Sequence, residues 1–179
     1  MPITSQLAPG SIAKPGVCTS STRPASPYQG QMIWQTDNSQ LLVYNGSAWV
    51  CLTPQSGSAT NQISTTNTTP TTLASDPSVS LVTGTKALIT ISARQVLGTT
   101  QGYVRSGVTV SGATSITATP AKSVENYFAT AELGNDRTGA YTFLETGLTA
   151  GTNTFQLQHW CSAGNLTVTQ RSITVVGIP

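Results

Sequence analysis

Apolar and polar residues alternate with a period of two over much of this chain, and no stretch repeats with the spacing of a helix. Ala87, Ile89, Ile91 and Ala93 share one face, with Thr90, Ser92 and Arg94 opposite. Tyr127, Ala129, Ala131 and Leu133 form a second such set, and Phe155 and Leu157 alternate with Gln156 and Gln158. The pattern predicts strands over Val79–Val82, Lys86–Arg94, Gly102–Val110, Thr114–Thr117, Ser123–Leu133, Thr138–Thr146, Thr152–Trp160 and Asn165–Val176. Short turn-forming groups such as Thr83-Gly84-Thr85, Ser111-Gly112 and Ser162-Ala163-Gly164 separate them. In the last strand the apolar set moves from Leu166 and Val168 to Ile173 and Val175. Such a change of phase around Gln170-Arg171 requires a bulge or a change of neighbour. Eight strands joined by short turns within residues 73–179 predict a β-sandwich, jelly-roll-like in connection.

The front of the chain has a different pattern. Met32–Gln35, Leu41–Tyr44 and Ala48–Leu52 are apolar runs separated by Asp37-Asn38-Ser39 and by Asn45-Gly46-Ser47. Asn-Gly between aromatic and β-branched residues is a strong hairpin signal, because both tolerate the positive φ of a tight reversal. Residues 30–52 therefore read as a three-stranded β-meander, too small to bury a core alone and in need of another surface. Residues 1–29 hold Pro2, Pro9, Pro15, Pro24 and Pro27, which disfavour helix and central strand, and read as an extended arm. That arm is expected to be held by a neighbouring subunit or folded back on its own domain. Residues 53–72 are polar and low in complexity and read as a Ser/Thr-rich linker. The expected whole is all-β: arm, meander, linker, then the sandwich.

Thr22-Arg23-Pro24-Ala25-Ser26-Pro27-Tyr28-Gln29-Gly30-Gln31-Met32-Ile33-Trp34-Gln35-Thr36-Asp37, followed by Val43-Tyr44-Asn45-Gly46-Ser47-Ala48-Trp49-Val50, resembles a segment of tailed-bacteriophage virion proteins. There an Arg-Pro-x-x-Pro lead enters a Gly-Gln-Met-Ile strand and a Tyr-Asn-Gly-x-x-Trp hairpin closes the unit. The resemblance covers about Cys18–Cys51 and does not separate capsid decoration, tail and fibre proteins. It implies a non-enzymatic structural role in the virion, with assembly in the host bacterial cytoplasm. The expected partners are further copies of the chain, as a homotrimer, and the phage major capsid protein, with tail proteins as the alternative. Trp34, Tyr44, Trp49, Arg23 and Tyr28 are the expected partner-interface residues, since aromatic and arginine anchors dominate protein interfaces. A second hypothesis makes the chain a tail or fibre receptor-binding protein. Its β-domain would then grip a host surface glycan near Gly134–Gly139 or Gly147–Gly151.

Composition narrows the alternatives. Only 8% of the residues are charged, against about a quarter in average proteins, so a surface covered by neighbours is expected. A net charge of +2 without a basic patch argues against nucleic acid. No apolar run has membrane-spanning length, and Met1–Ser5 lacks the basic and hydrophobic regions of a signal peptide. Cys18, Cys51 and Cys161 are an odd set, expected as reduced thiols, with Cys161 packed as a small hydrophobe. A bridge between Cys18 and Cys51, which bracket the meander, ranks lower.

No residue set calls for catalysis. His159 is the only histidine and no Gly-x-Ser-x-Gly elbow is present, so an interface or half-buried histidine is expected. His159 and Cys161 share a strand face but supply half of a four-ligand zinc set, and no metal or cofactor is expected. Asp37, Asp76 and Asp136 fall in predicted turns or linkers, where Asp caps backbone. Glu125 and Glu145 are weighed as a glycosidase pair, but solvated strand faces or ion pairs with Arg94, Arg105 or Arg137 fit them better.

Overall fold

The computed structural model describes residues 15–179. Residues 1–14 of the expected N-terminal arm lie outside the described residues. Thirteen strands occur among those described. They are β1 (Gly16–Cys18), β2 (Met32–Gln35), β3 (Gln40–Tyr44), β4 (Trp49–Cys51), β5 (Gln55–Ala59), β6 (Ile63–Thr65) and β7 (Ser78–Thr83). β8 (Lys86–Leu97), β9 (Gly102–Gly112), β10 (Ser123–Phe128), β11 (Arg137–Glu145), β12 (Gly151–Cys161) and β13 (Leu166–Ile178) follow. One sheet runs β10-β9-β12-β7, the other β11-β8-β13-β5 with β6 also on β13. The pairs β5–β13, β7–β12, β8–β11 and β9–β10 are all antiparallel. The first strand thus meets the last, the second the next to last, and so on inward. That is the winding of a jelly roll, a long double ribbon folded over on itself.

Three sequence expectations change. The residues read as a linker, 53–72, carry β5 and β6, both laid along β13. β5 is the opening strand of the jelly roll, so the domain begins before Leu73. Ser and Thr suit an edge strand that needs only backbone pairing, and their polarity concealed it from a search for apolar alternation. Thr114–Thr117 is not a strand; Ile116 makes a single bridge to Val110. The run Ser123–Leu133 stops at Phe128 and turns through a 3-10 segment, Thr130–Glu132. The bulge expected near Gln170-Arg171 is present: the β13–β8 register shifts between Thr169 and Ser172, and Gln170 adopts the left-handed region with φ 44°.

The meander forms as expected, β2-β3-β4 joined by tight turns, with β1 added in parallel along β2. Residues 16–18 of the arm are therefore an edge strand folded back on their own chain. The meander's need for another surface is met within the same molecule. Ile33, Leu42 and Cys51 share one face and belong to the same buried cluster as Val79, Ile89, Phe155 and Ile173. The close approach occurs at Gly177, where an added Cβ would lie 2.9 Å from the Cys51 carbonyl oxygen and 3.0 Å from Val50. Only glycine lets β4 sit there.

The sandwich core is divided. One cluster contains Ala87, Ile89, Ile91, Val108, Val110, Phe155, Leu157, Ile173 and Val175. The other contains Ala93, Leu97, Val104, Phe128, Cys161, Leu166 and Val168. Between them, one inward position on each of four strands is polar: Gln95, Ser106, His159 and Arg171, all buried.

Candidate functional site

Two places bear on function: the polar layer inside the sandwich and the outer face of the meander. In the layer, His159 Nδ1 lies 2.8 Å from Ser106 Oγ and His159 Nε2 lies 3.1 Å from Asp76 Oδ1. This is the residue set of a hydrolytic triad, and the surroundings decide against that use. Ser106, His159 and the side chain of Asp76 are fully buried. The Ser106 hydroxyl accepts from Gln95 Nε2 at 2.7 Å, and Gln95 Oε1 accepts from Asn126 Nδ2 at 2.7 Å. With His159 neutral and protonated on Nε2, every bond runs one way. Asn126 donates to Gln95, Gln95 to Ser106, Ser106 to His159, and His159 to Asp76. Ser106 has no path to a substrate.

Asp76 is the hub. Its Oδ1 also accepts from Arg171 Nε at 2.7 Å, and its Oδ2 accepts from the Leu73 backbone N–H at 2.7 Å. Arg171 donates further to the Asn61 and Ser75 carbonyls, at 2.7 and 3.1 Å. The bulge in β13 aims Arg171 inward, and the break between β5 and β6 presents Asn61 to it. Asp76 does have the backbone-capping role expected of it, but the same carboxylate also neutralises a buried guanidinium 95 residues away in sequence. His159 is fully buried rather than half-buried or at an interface.

Of the other singled-out acids, Glu125, Glu145 and Asp136 are in ion pairs, while Asp37 accepts hydrogen bonds from Ser20. Glu125 pairs with Arg105 on the exposed side of β9 and β10. Glu145 is buried and pairs with Lys122 at 2.7 Å, so it lies on no solvated face and its partner is not one of the three arginines expected. Arg94 pairs with Asp136, and Arg137 with Glu132. The Ala129 backbone N–H, with Arg137, holds the Glu132 carboxyl below its ordinary range, and the Ser20 hydroxyl and N–H do the same for Asp37. All three cysteines are free. Burial pushes the Cys51 and Cys161 thiols up. Among the described residues no group of three or more potential metal ligands occurs, and no helix is long and apolar enough to cross a membrane.

The five expected interface residues do not form one patch. Tyr44 and Trp49 pair across the β3–β4 turn with ring centroids 5.4 Å apart, and Trp49 packs against the core. Arg23 donates from Nε to Gln35 Oε1 at 2.8 Å and so ties the arm to β2. Tyr28 is 71% exposed at the turn leading into β2. Trp34 points outward, in register with Val17 on one side and Leu41 on the other. Met32 lies on the same outer face, two residues before Trp34. Val17 is 72% exposed, Met32 43% and Trp34 38%. Sequence reasoning missed Val17 and Met32, although the alternation of Met32, Ile33 and Trp34 already places Met32 beside Trp34.

No family model matches the chain, and no curated protein matches it. Among solved structures it is similar to infectious bursal disease virus, Gx strain, with TM-score 0.40, 11% identity, and 74% of this chain aligned to 36% of that one. It is also similar to the VP2 subviral particle of the same virus, with TM-score 0.43, 13% identity, and 86% aligned to 41%. A third is the C-terminal CBM6 of the laminarinase LamC from Zobellia galactanivorans, with TM-score 0.30, 13% identity, and 68% aligned to 99%. The chain thus spans well under two thirds of the viral proteins' length. At this distance the likenesses identify no shared site.

Proposed function

We propose that the chain is a non-enzymatic structural protein of a tailed-phage virion: a homotrimeric capsid decoration protein, attached through its N-terminal region with the jelly roll projecting outward. The observation that carries this reading is the outer face of the meander. Val17, Met32 and Trp34 form an apolar surface that the rest of the described chain leaves partly exposed; Met32 and Trp34 fall within the segment resembling virion proteins, and Val17 stands one residue before it. The inner face is spent on the chain's own sandwich, so attachment falls to this outer face. Covering the exposed parts of these side chains is worth about 1–2 kcal/mol apiece at roughly 25 cal/mol per Å². Three copies acting together convert such modest contacts into tight attachment.

Antibody raised against the full chain, imaged by immunogold electron microscopy on intact phage particles, tests the assignment. Labelling of the shell, lost when Trp34→Ser and Val17→Ser are introduced together without change in circular dichroism, is the expected outcome. Labelling of the tail would replace decoration by the tail or fibre reading. Purified particles without the protein would overturn both. Sedimentation of the purified chain as a monomer would overturn the trimer.

A further inference from the structure

The open edge of the sandwich holds a cleft of about 270 Å³, lined by Val108 and Val110 of β9, Phe143 and Glu145 of β11, and Ile116 and Lys122 of the connecting segment. Thr117 and Thr119 also border it. Its wall is pinned rather than loose. Ile116 exchanges two backbone hydrogen bonds with Val110, at 2.8 and 3.0 Å, and its carbonyl also accepts from Thr109 Oγ1 at 2.8 Å. Thr114 N–H donates to Asn153 Oδ1 at 2.9 Å, and Thr114 Oγ1 accepts from Thr149 N–H at 2.8 Å. A cleft so held is formed before any ligand arrives.

Its polar end is the Glu145–Lys122 pair. Glu145 is 6% exposed, and Lys122 reaches only Oε2, at 2.7 Å. Among the described residues Oε1 accepts no hydrogen bond. It faces the Gly147 turn, where an added Cβ would lie 3.8 Å away. Oε1 is not sealed from water, so a ligand hydroxyl can take the place of water there. The pair is neutral as a unit, which disfavours a charged ligand. Lys122 and the two threonines supply donors, and the threonines and Glu145 supply acceptors. The aliphatic walls suit C–H surface, and the volume, slightly below that of clefts that take drug-sized molecules, admits one small ring.

We propose that this cleft binds a single neutral sugar ring, its hydroxyls on Glu145 Oε1 and the threonines and its C–H surface on Val108, Val110 and Ile116. The site adjoins the Gly147–Gly151 turn, one of the two places the sequence pattern offered to a glycan. The assignment does not rest on the virion reading, since a sugar site is compatible with a place on shell or tail.

Methyl-resolved NMR of the full chain, titrated with the methyl glycosides of glucose, galactose, mannose and N-acetylglucosamine, tests it. At least one glycoside is expected to shift the methyl signals of Val108, Val110 and Ile116 saturably. Glu145→Gln should weaken that binding by about tenfold or more, as loss of a charge-assisted hydrogen bond implies. Thr117→Trp, which fills the exposed mouth and leaves the core untouched, should abolish it even where Glu145→Gln fails to fold. Glu125→Gln, on the outer face, should leave it unchanged. No response to any of the four glycosides would overturn the proposal. So would a response indifferent to Thr117→Trp, or saturation by propylammonium or propionate in place of the sugars.

Discussion

Asp76→Ala removes the hub of the buried layer, and the structure sets the size of the effect. Three donors lose their acceptor: Arg171 Nε, His159 Nε2 and the Leu73 N–H. Both members of the Asp76–Arg171 pair have fully buried side chains. Removing one member of such a pair costs about 3–5 kcal/mol, because the remaining charge is stranded away from water. Arg171 keeps the Asn61 and Ser75 carbonyls, which places the expected loss near the lower end, about 3 kcal/mol. For a chain of this size that is a fall in Tm of roughly 6–12 °C. Urea unfolding followed by tryptophan fluorescence, at one fixed protein concentration, reads the change in midpoint and slope. Arg171→Met in the Asp76→Ala background removes the stranded charge, so the double variant should be no less stable than Asp76→Ala alone. A loss below about 1 kcal/mol for Asp76→Ala, the size of an exposed pair, would refute the claim that the layer is sealed.

Three further outcomes follow from the same contacts. Gly177→Val should push β4 off β13, lowering hydrogen-exchange protection in β2–β4 while the sandwich amides keep theirs; equal protection throughout would count against docking at Gly177. Cys51 and Cys161, buried and with raised thiol pKa values, should resist maleimide in the native protein while half-buried Cys18 reacts first, as read by mass spectrometry. Asp37 has a folded pKa below its ordinary 3.8, so the stability it lends is complete above that value and is lost as pH falls through the lower folded value. The Ser20 amide resonance should therefore move only in that acid range, and movement near neutrality would contradict the Asp37–Ser20 contact.

Much of the architecture was legible in the order of residues. Alternation with a period of two named the long strands, because each has one face in the core and one outside. The phase change between Val168 and Ile173 located the bulge, since a strand with an extra residue must shift its inward set by one. Asn45-Gly46 marked the meander's turn for the same local reason: it is a matter of φ, decided by the residues themselves.

What the order of residues could not convey is whatever depends on contacts between distant segments. β5 carries little apolar signal, and its place in the jelly roll comes from the free edge of β13. Nothing local distinguishes Asp76 from any turn aspartate. Only the fold brings it to Arg171 and His159, and Glu145 to Lys122 beside a cleft. The meander's inner face looked available to another molecule because a sequence shows that a surface is apolar, not what covers it. Burial is a property of the packed chain, and here packing gave that face to the sandwich and left Val17, Met32 and Trp34 outside.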